Sequence, residues 1–122
     1  MKIGFIGLGN VGSKLAASLL RNKFDLTVRD LDINLTKDFE NKGAKVANSA
    51  KELATQVDLI ITCLPSTKIC AEVMESHNGV ISGLSENKIW LEMSTTDQSE
   101  IKRLAKKVEE KKAIPLEGPV SG

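Results

Sequence analysis

Short apolar runs alternate with stretches whose apolar positions recur every three to four residues, and this alternation fills the chain. Residues 2–7, KIGFIG, form a run suited to a strand covered on both faces. From Asn10 the period changes, and Val11, Leu15, Leu19 and Leu20 fall on one face of a helix. Residues 25–30, DLTVRD, read as a second strand with Leu26 and Val28 on one side. Leu35 and Phe39 mark a short helix that Gly43 stops, and residues 44–49, AKVANS, hold a brief third strand. Ser49 and Glu52 make an S-x-x-E capping box that opens a helix through Leu53.

Residues 57–65, VDLIITCLP, are nearly all apolar or β-branched, as a central parallel strand requires. A helix through Ile69 and Val73 follows, with turn signals at Asn78-Gly79 and Gly83. Residues 88–94, KIWLEMS, alternate as a fifth strand. Asp97 and Glu100 offer a second capping pair, and Ile101, Leu104 and Val108 mark that helix's buried stripe. A sixth strand begins in residues 113–120, AIPLEGPV. Strand and helix in strict alternation predict an α/β fold, a doubly wound parallel sheet in three layers with strand order 3-2-1-4-5-6.

Composition narrows the field. The chain has 122 residues, 41% of them apolar and 27% charged, enough for one folded domain over 1–122. Seventeen basic against sixteen acidic residues leave a net charge of +1. That balance gives no electrostatic reason for a nucleic-acid partner or an anionic membrane. No apolar run reaches the roughly 20 residues of a bilayer span. Cys63 and Cys70 lack the further ligands a metal needs, so no metal is expected. They read as reduced thiols of a cytoplasmic protein, Cys63 inside a strand and Cys70 on a helix. His77, the only histidine, lies in polar ESHNG and suits a solvated loop.

The chemistry concentrates at strand ends. Gly7, Gly9 and Gly12 stand in G-x-G-x-x-G spacing, directly after a strand and opening a helix. In that context Gly7 permits the tight turn and Gly9 lets backbone approach a pyrophosphate. Gly12 allows close helix–strand packing. The loop Gly7-Leu8-Gly9-Asn10-Val11-Gly12 would then present N–H groups and the positive helix end to phosphate.

Asp30, eighteen residues after Gly12, closes the second strand, where a carboxylate accepts from the adenosine ribose hydroxyls. It also repels a 2′-phosphate, and Leu31 rather than arginine follows. NAD is therefore favoured over NADP. Arg29 is set on the opposite side of the strand by alternation. CLPS (63–66) ends the fourth strand across the switch point, with Leu64 and Pro65 turning toward the cofactor. MSTTD (93–97) ends the fifth. There Ser94, Thr95 and Thr96 offer hydroxyls, and Thr96 suits the helix N-cap.

Four stretches in this order, GFIGLGNVG, CLPS, LEMSTT and GPVSG, resemble the β-hydroxyacid dehydrogenases. That group includes 3-hydroxyisobutyrate dehydrogenase and tartronate semialdehyde reductase, with 6-phosphogluconate dehydrogenase more distant. The resemblance covers the whole chain and implies a Rossmann NAD-binding domain. It implies that Gly7 to Gly12 hold the pyrophosphate, Leu64 and Pro65 lie along the cofactor, and Thr95 sits near the nicotinamide. It places Ser121 and Gly122 at the substrate carboxylate, in a motif the family usually writes D-A-P-V-S-G-G. Glu117 and Gly118 depart from that motif, and Glu92 stands where aspartate is common.

The family's catalytic lysine lies in or near a C-terminal all-helical domain, expected to be absent from this chain, so no catalytic residue is assigned. The implied whole protein is a homo-oligomer that moves hydride between NAD and a small 3-hydroxy acid, while these residues alone turn over little. Two alternatives remain open: a free-standing nucleotide-binding regulatory module, and a tartronate semialdehyde or imine reductase relative using NADP.

Overall fold

The computed structural model describes residues 1–93 and 97–117, the side chain of Glu117 excepted. Within them β1 (Lys2–Ile6) leads to α1 (Asn10–Arg21), β2 (Asp25–Arg29) to α2 (Ile33–Asn41), and β3 (Lys45–Val46) to α3 (Ala50–Gln56). Then β4 (Leu59–Thr62) precedes α4 (Thr67–Glu75) and the single turn α5 (Val80–Gly83). Next come β5 (Ile89–Glu92), α6 (Gln98–Glu110) and β6 (Ile114–Glu117). The six strands form one sheet in the order β3-β2-β1-β4-β5-β6, every pair parallel. This is the doubly wound Rossmann-type sheet that the alternation predicts.

Each face of the sheet has its own core. Ile3, Phe5 and Val28 on one side pack beneath α1 and α2, with Ala16 and Phe39. On the other, Ile60 and Trp90 meet Leu53 of α3, Met74 of α4 and Leu104 of α6. Ile60 is fully buried and its neighbour Ile61 nearly so, on opposite faces. Burying such a side chain contributes about 1.5–3 kcal/mol, which explains the unbroken apolar run of β4.

Several local expectations shift. β4 stops at Thr62, so Cys63 lies beyond the strand rather than inside it, although its N–H still donates to the Ile6 carbonyl at 2.9 Å. Pro65 has no N–H to continue a ladder, and the chain turns away from the sheet before it. The buried face of α1 is Gly12 and Ala16, with Leu15, Leu19 and Leu20 half-buried beside them. Val11 is exposed instead of joining that stripe. Small residues let α1 approach the sheet closely, which rotates Val11 outward.

The capping boxes are half-realised. Ser49 accepts from the Glu52 N–H at 3.0 Å, but the Glu52 carboxylate accepts from Asn48 N–H, one residue before the cap. Asp97, not Thr96, caps α6 by accepting from Ser99 N–H at 2.8 Å. Glu100 turns to Arg103 rather than back to the cap.

Candidate functional site

The carboxyl ends of the central strands open into a cleft of about 690 Å³. Its floor is the turn between β1 and α1. Gly7 has φ +104, and a Cβ there would stand 2.2 Å from the Cys63 carbonyl oxygen. At Gly12 a Cβ would lie 1.9 Å from the Gly7 carbonyl oxygen. Both positions must therefore be glycine for the fold itself. Gly9 differs: its φ is an ordinary −69, and a Cβ there would meet nothing within 4 Å. No atom of the described residues requires glycine at this point. The space a side chain would fill is the cleft.

Gly9 is also the N-cap of α1, and it offers no side-chain cap. By contrast α2, α3, α4 and α6 are capped by Asp32, Ser49, Ser66 and Asp97. The first turn of α1 carries no acidic residue. Its N–H groups and the positive end of its dipole thus face the cleft without an internal anion, an arrangement that receives phosphate. Asn10 and Val11 line the cleft beside Gly9.

Leu8 is placed otherwise. Its side chain is 1% exposed in the core under α1, and its N–H donates to Asp30 Oδ2 at 2.7 Å. Leu8 thus does not line the cleft, and its N–H is occupied. Asp30 does line it, and its other oxygen accepts from Asp32 N–H at 2.9 Å. A carboxylate has about four lone-pair sites. With one used on each oxygen, Asp30 is held in place and retains capacity for hydroxyl donors. Asp32 borders the same region.

Leu64 and Pro65 form the opposite wall, with Cys63. The expected Thr95, Ser121 and Gly122, with Ser94, Thr96 and Gly118, lie outside the described residues.

Seven lining residues were not assigned to the site from the sequence: Leu31, Asp32, Leu35, Cys63, Ile69, Val73 and Met93. Ile69 and Val73, one helical turn apart on α4, present an apolar edge, and Met93 follows β5. The i, i+4 spacing was visible in the sequence, but it does not say which part of the stripe meets solvent. Asp32 also escaped notice, as the cap of α2. Burial, and secondarily the Glu92 carboxylate, raises the Cys63 thiol above its usual range. Cys63 accordingly lacks the lowered pKa that marks a reactive thiolate. Among the described residues no group of three or more His, Cys, Asp or Glu is placed to hold a metal. Nor is any described helix long and apolar enough to cross a membrane.

A glycine turn feeding an uncapped helix at the switch point between β1 and β4, with an acid ending β2, defines a dinucleotide-binding α/β domain. Comparison with known proteins narrows this. Residues 2–122 match the family described as the NAD binding domain of 6-phosphogluconate dehydrogenase, and the chain belongs to that family. It is 38% identical over 120 residues to the mitochondrial 3-hydroxyisobutyrate dehydrogenase of Mus musculus, an alignment covering 98% of this chain and 36% of that protein.

The crystal structure of 3-hydroxyisobutyrate dehydrogenase from Salmonella typhimurium superposes with a TM-score of 0.91 at 25% identity, covering 100% of this chain and 42% of that one. An imine reductase from Myxococcus stipitatus in complex with NADP⁺ shares the fold at 16% identity (TM-score 0.90, 100% and 42% covered). Its V8 variant was solved with NAD⁺ (TM-score 0.89, 16% identity, 99% and 41% covered). The chain spans about a third of the length of the curated relatives it matches.

Proposed function

We propose that this chain is the cofactor-binding part of a 3-hydroxyisobutyrate dehydrogenase-like oxidoreductase. It moves hydride between NAD and a small 3-hydroxy acid, with the lysine acid/base and an all-helical domain supplied outside these residues. The observation that carries the cofactor half is Gly9, whose missing side chain serves no contact with the described residues and leaves room for a ligand. NAD, when bound, supplies the hydride acceptor. The chain's own residues do the rest. Gly9, Asn10 and the first turn of α1 receive the pyrophosphate, and Asp30 fixes the adenosine ribose. Leu64, Pro65 and Met93 give the nicotinamide end a water-poor wall. Thr95 near the ring, and Ser121 and Gly122 at the substrate carboxylate, complete the reading.

Asp30 and Asp32 both border the cleft at the end of β2, with Leu31 between them. Two carboxylates disfavour a 2′-phosphate, which supports NAD over NADP. Titration of the chain with NADH and NADPH, followed by nicotinamide fluorescence, tests this. NADH binding at least tenfold tighter is expected. Equal or inverted affinities would favour the NADP-using reductase reading, and no binding of either would end the cofactor reading.

A further inference from the structure

α1 and α2 both begin at the cleft, and their first turns are finished in opposite ways. α1 starts from Gly9, which lends no side chain to the free N–H groups. α2 starts from Asp32, whose Oδ1 accepts from Asn34 N–H at 2.9 Å. Gly9 and Asp32 both line the cleft.

None of the described residues lining the cleft is basic. An anionic group there is met only by backbone N–H groups and helix dipoles. What occupies each helix start therefore decides where a phosphate can sit. An open start receives phosphate, whereas one that already holds a carboxylate repels it. With nine residues α2 runs for more than two turns, so its first turn carries a positive dipole end like that of α1.

The two carboxylates at this end of the cleft are not equivalent. Asp30 commits one oxygen to Leu8 N–H at 2.7 Å and the other to Asp32 N–H at 2.9 Å. It ties the glycine turn to the start of α2. Asp32 is exposed and bonds only to its own helix, and its Oδ2 takes no hydrogen bond from the described residues. Neither is ion-paired among those residues.

We propose that Asp32 is the main residue excluding a 2′-phosphate, because its own carboxylate fills the start of α2. It closes a second phosphate site that the fold would otherwise offer. This rests on the cofactor reading above, and it moves the discrimination from the acid that ends β2 to the helix cap two residues on. Asp30 keeps the ribose and the turn.

The test compares NADPH and NADH dissociation constants by nicotinamide fluorescence. Asp32→Asn keeps a cap acceptor for Asn34 N–H but carries no charge. It is expected to move the ratio roughly tenfold toward NADPH, the worth of one charge-assisted hydrogen bond gained by the phosphate. Asp30→Asn is expected to weaken both cofactors together and to shift the ratio less, because an amide has one oxygen for two N–H donors. Should Asp32→Asn fail to fold, as judged by melting, Asp32→Ser supplies another neutral cap with the same shift expected. An unchanged ratio in the folded Asp32 variants, or a larger shift from Asp30→Asn, overturns the proposal. If the wild-type chain binds both cofactors equally, the proposal falls while the cofactor reading stands. If it binds neither, both fall.

Discussion

Gly7, Gly9 and Gly12 look equivalent in the sequence, yet they answer to different constraints. Gly12→Ala would set a methyl 1.9 Å from the Gly7 carbonyl oxygen. Overpacking of this kind costs about 1–3 kcal/mol and should lower the thermal midpoint. Gly9→Ala meets no atom of the described residues, so its midpoint should match the wild type while NADH affinity falls at least tenfold, read by titration alongside melting. Equal melting and unchanged affinity would remove the main support for phosphate at this turn.

Asp30→Ala should do both kinds of harm, because the same carboxylate holds Leu8 N–H and faces the cleft. The motif in the sequence located this turn correctly. It did not distinguish Leu8, whose apolar side chain belongs to the core, from its cleft-lining neighbours. Spacing alone carries no record of which way each residue of a turn points.

At the scale of elements, the alternation of apolar runs was legible because both faces of the sheet are covered and each helix buries one stripe. The boundaries were less so. β4 and β5 are shorter than their apolar runs, since Cys63 and Met93 continue the run as cleft wall rather than as strand. Hydrophobicity reports burial against anything, including a site.

Helix ends were partly legible, and Ser49→Ala should cost about 1 kcal/mol through loss of the α3 cap, measurable by denaturant unfolding. The helix bordering the cleft has a further tie. Glu75 of α4 takes both terminal nitrogens of Arg103 on α6, at 2.6 and 2.7 Å, and also pairs with Lys107. These bonds hold its carboxyl at about 2, against an ordinary 4.5. A depressed carboxyl stabilises the fold above its unfolded value and ceases to do so as pH falls through its folded one. The thermal midpoint should therefore drop between about pH 4.5 and 2, and Glu75→Gln should flatten that part of the profile.

For the molecule as a whole, one sheet with two separate cores means that the cleft lies at a seam. Its floor belongs to the α1 side and its far wall to α4. A ligand spanning the seam binds only the folded form. NADH at a hundred times its dissociation constant should therefore raise stability by about 2.7 kcal/mol, visible as a concentration-dependent rise in melting temperature. On the function proposed above, a version extended through a lysine-bearing helical segment should oxidise a 3-hydroxy acid, whereas these 122 residues alone should not. Full activity from the 122 residues alone would overturn that division. The sheet order was readable from the sequence, because right-handed crossovers leave few ways to arrange six alternating strands. A buried polar layer linking Thr62, Cys70, Trp90 and Glu92 was not, since its members lie on three elements and meet only after the sheet and α4 are packed.

The empty space at Gly9 also bears on how such a domain would change under selection. Residues that the backbone needs stay under constraint for as long as the fold does. A residue kept small only for a visitor is released once the visitor stops coming. A descendant of this chain that kept its architecture but abandoned the nucleotide would be expected to retain Gly7 and Gly12 and to drift first at Gly9. That one position would then distinguish a working enzyme from a relic sharing its shape.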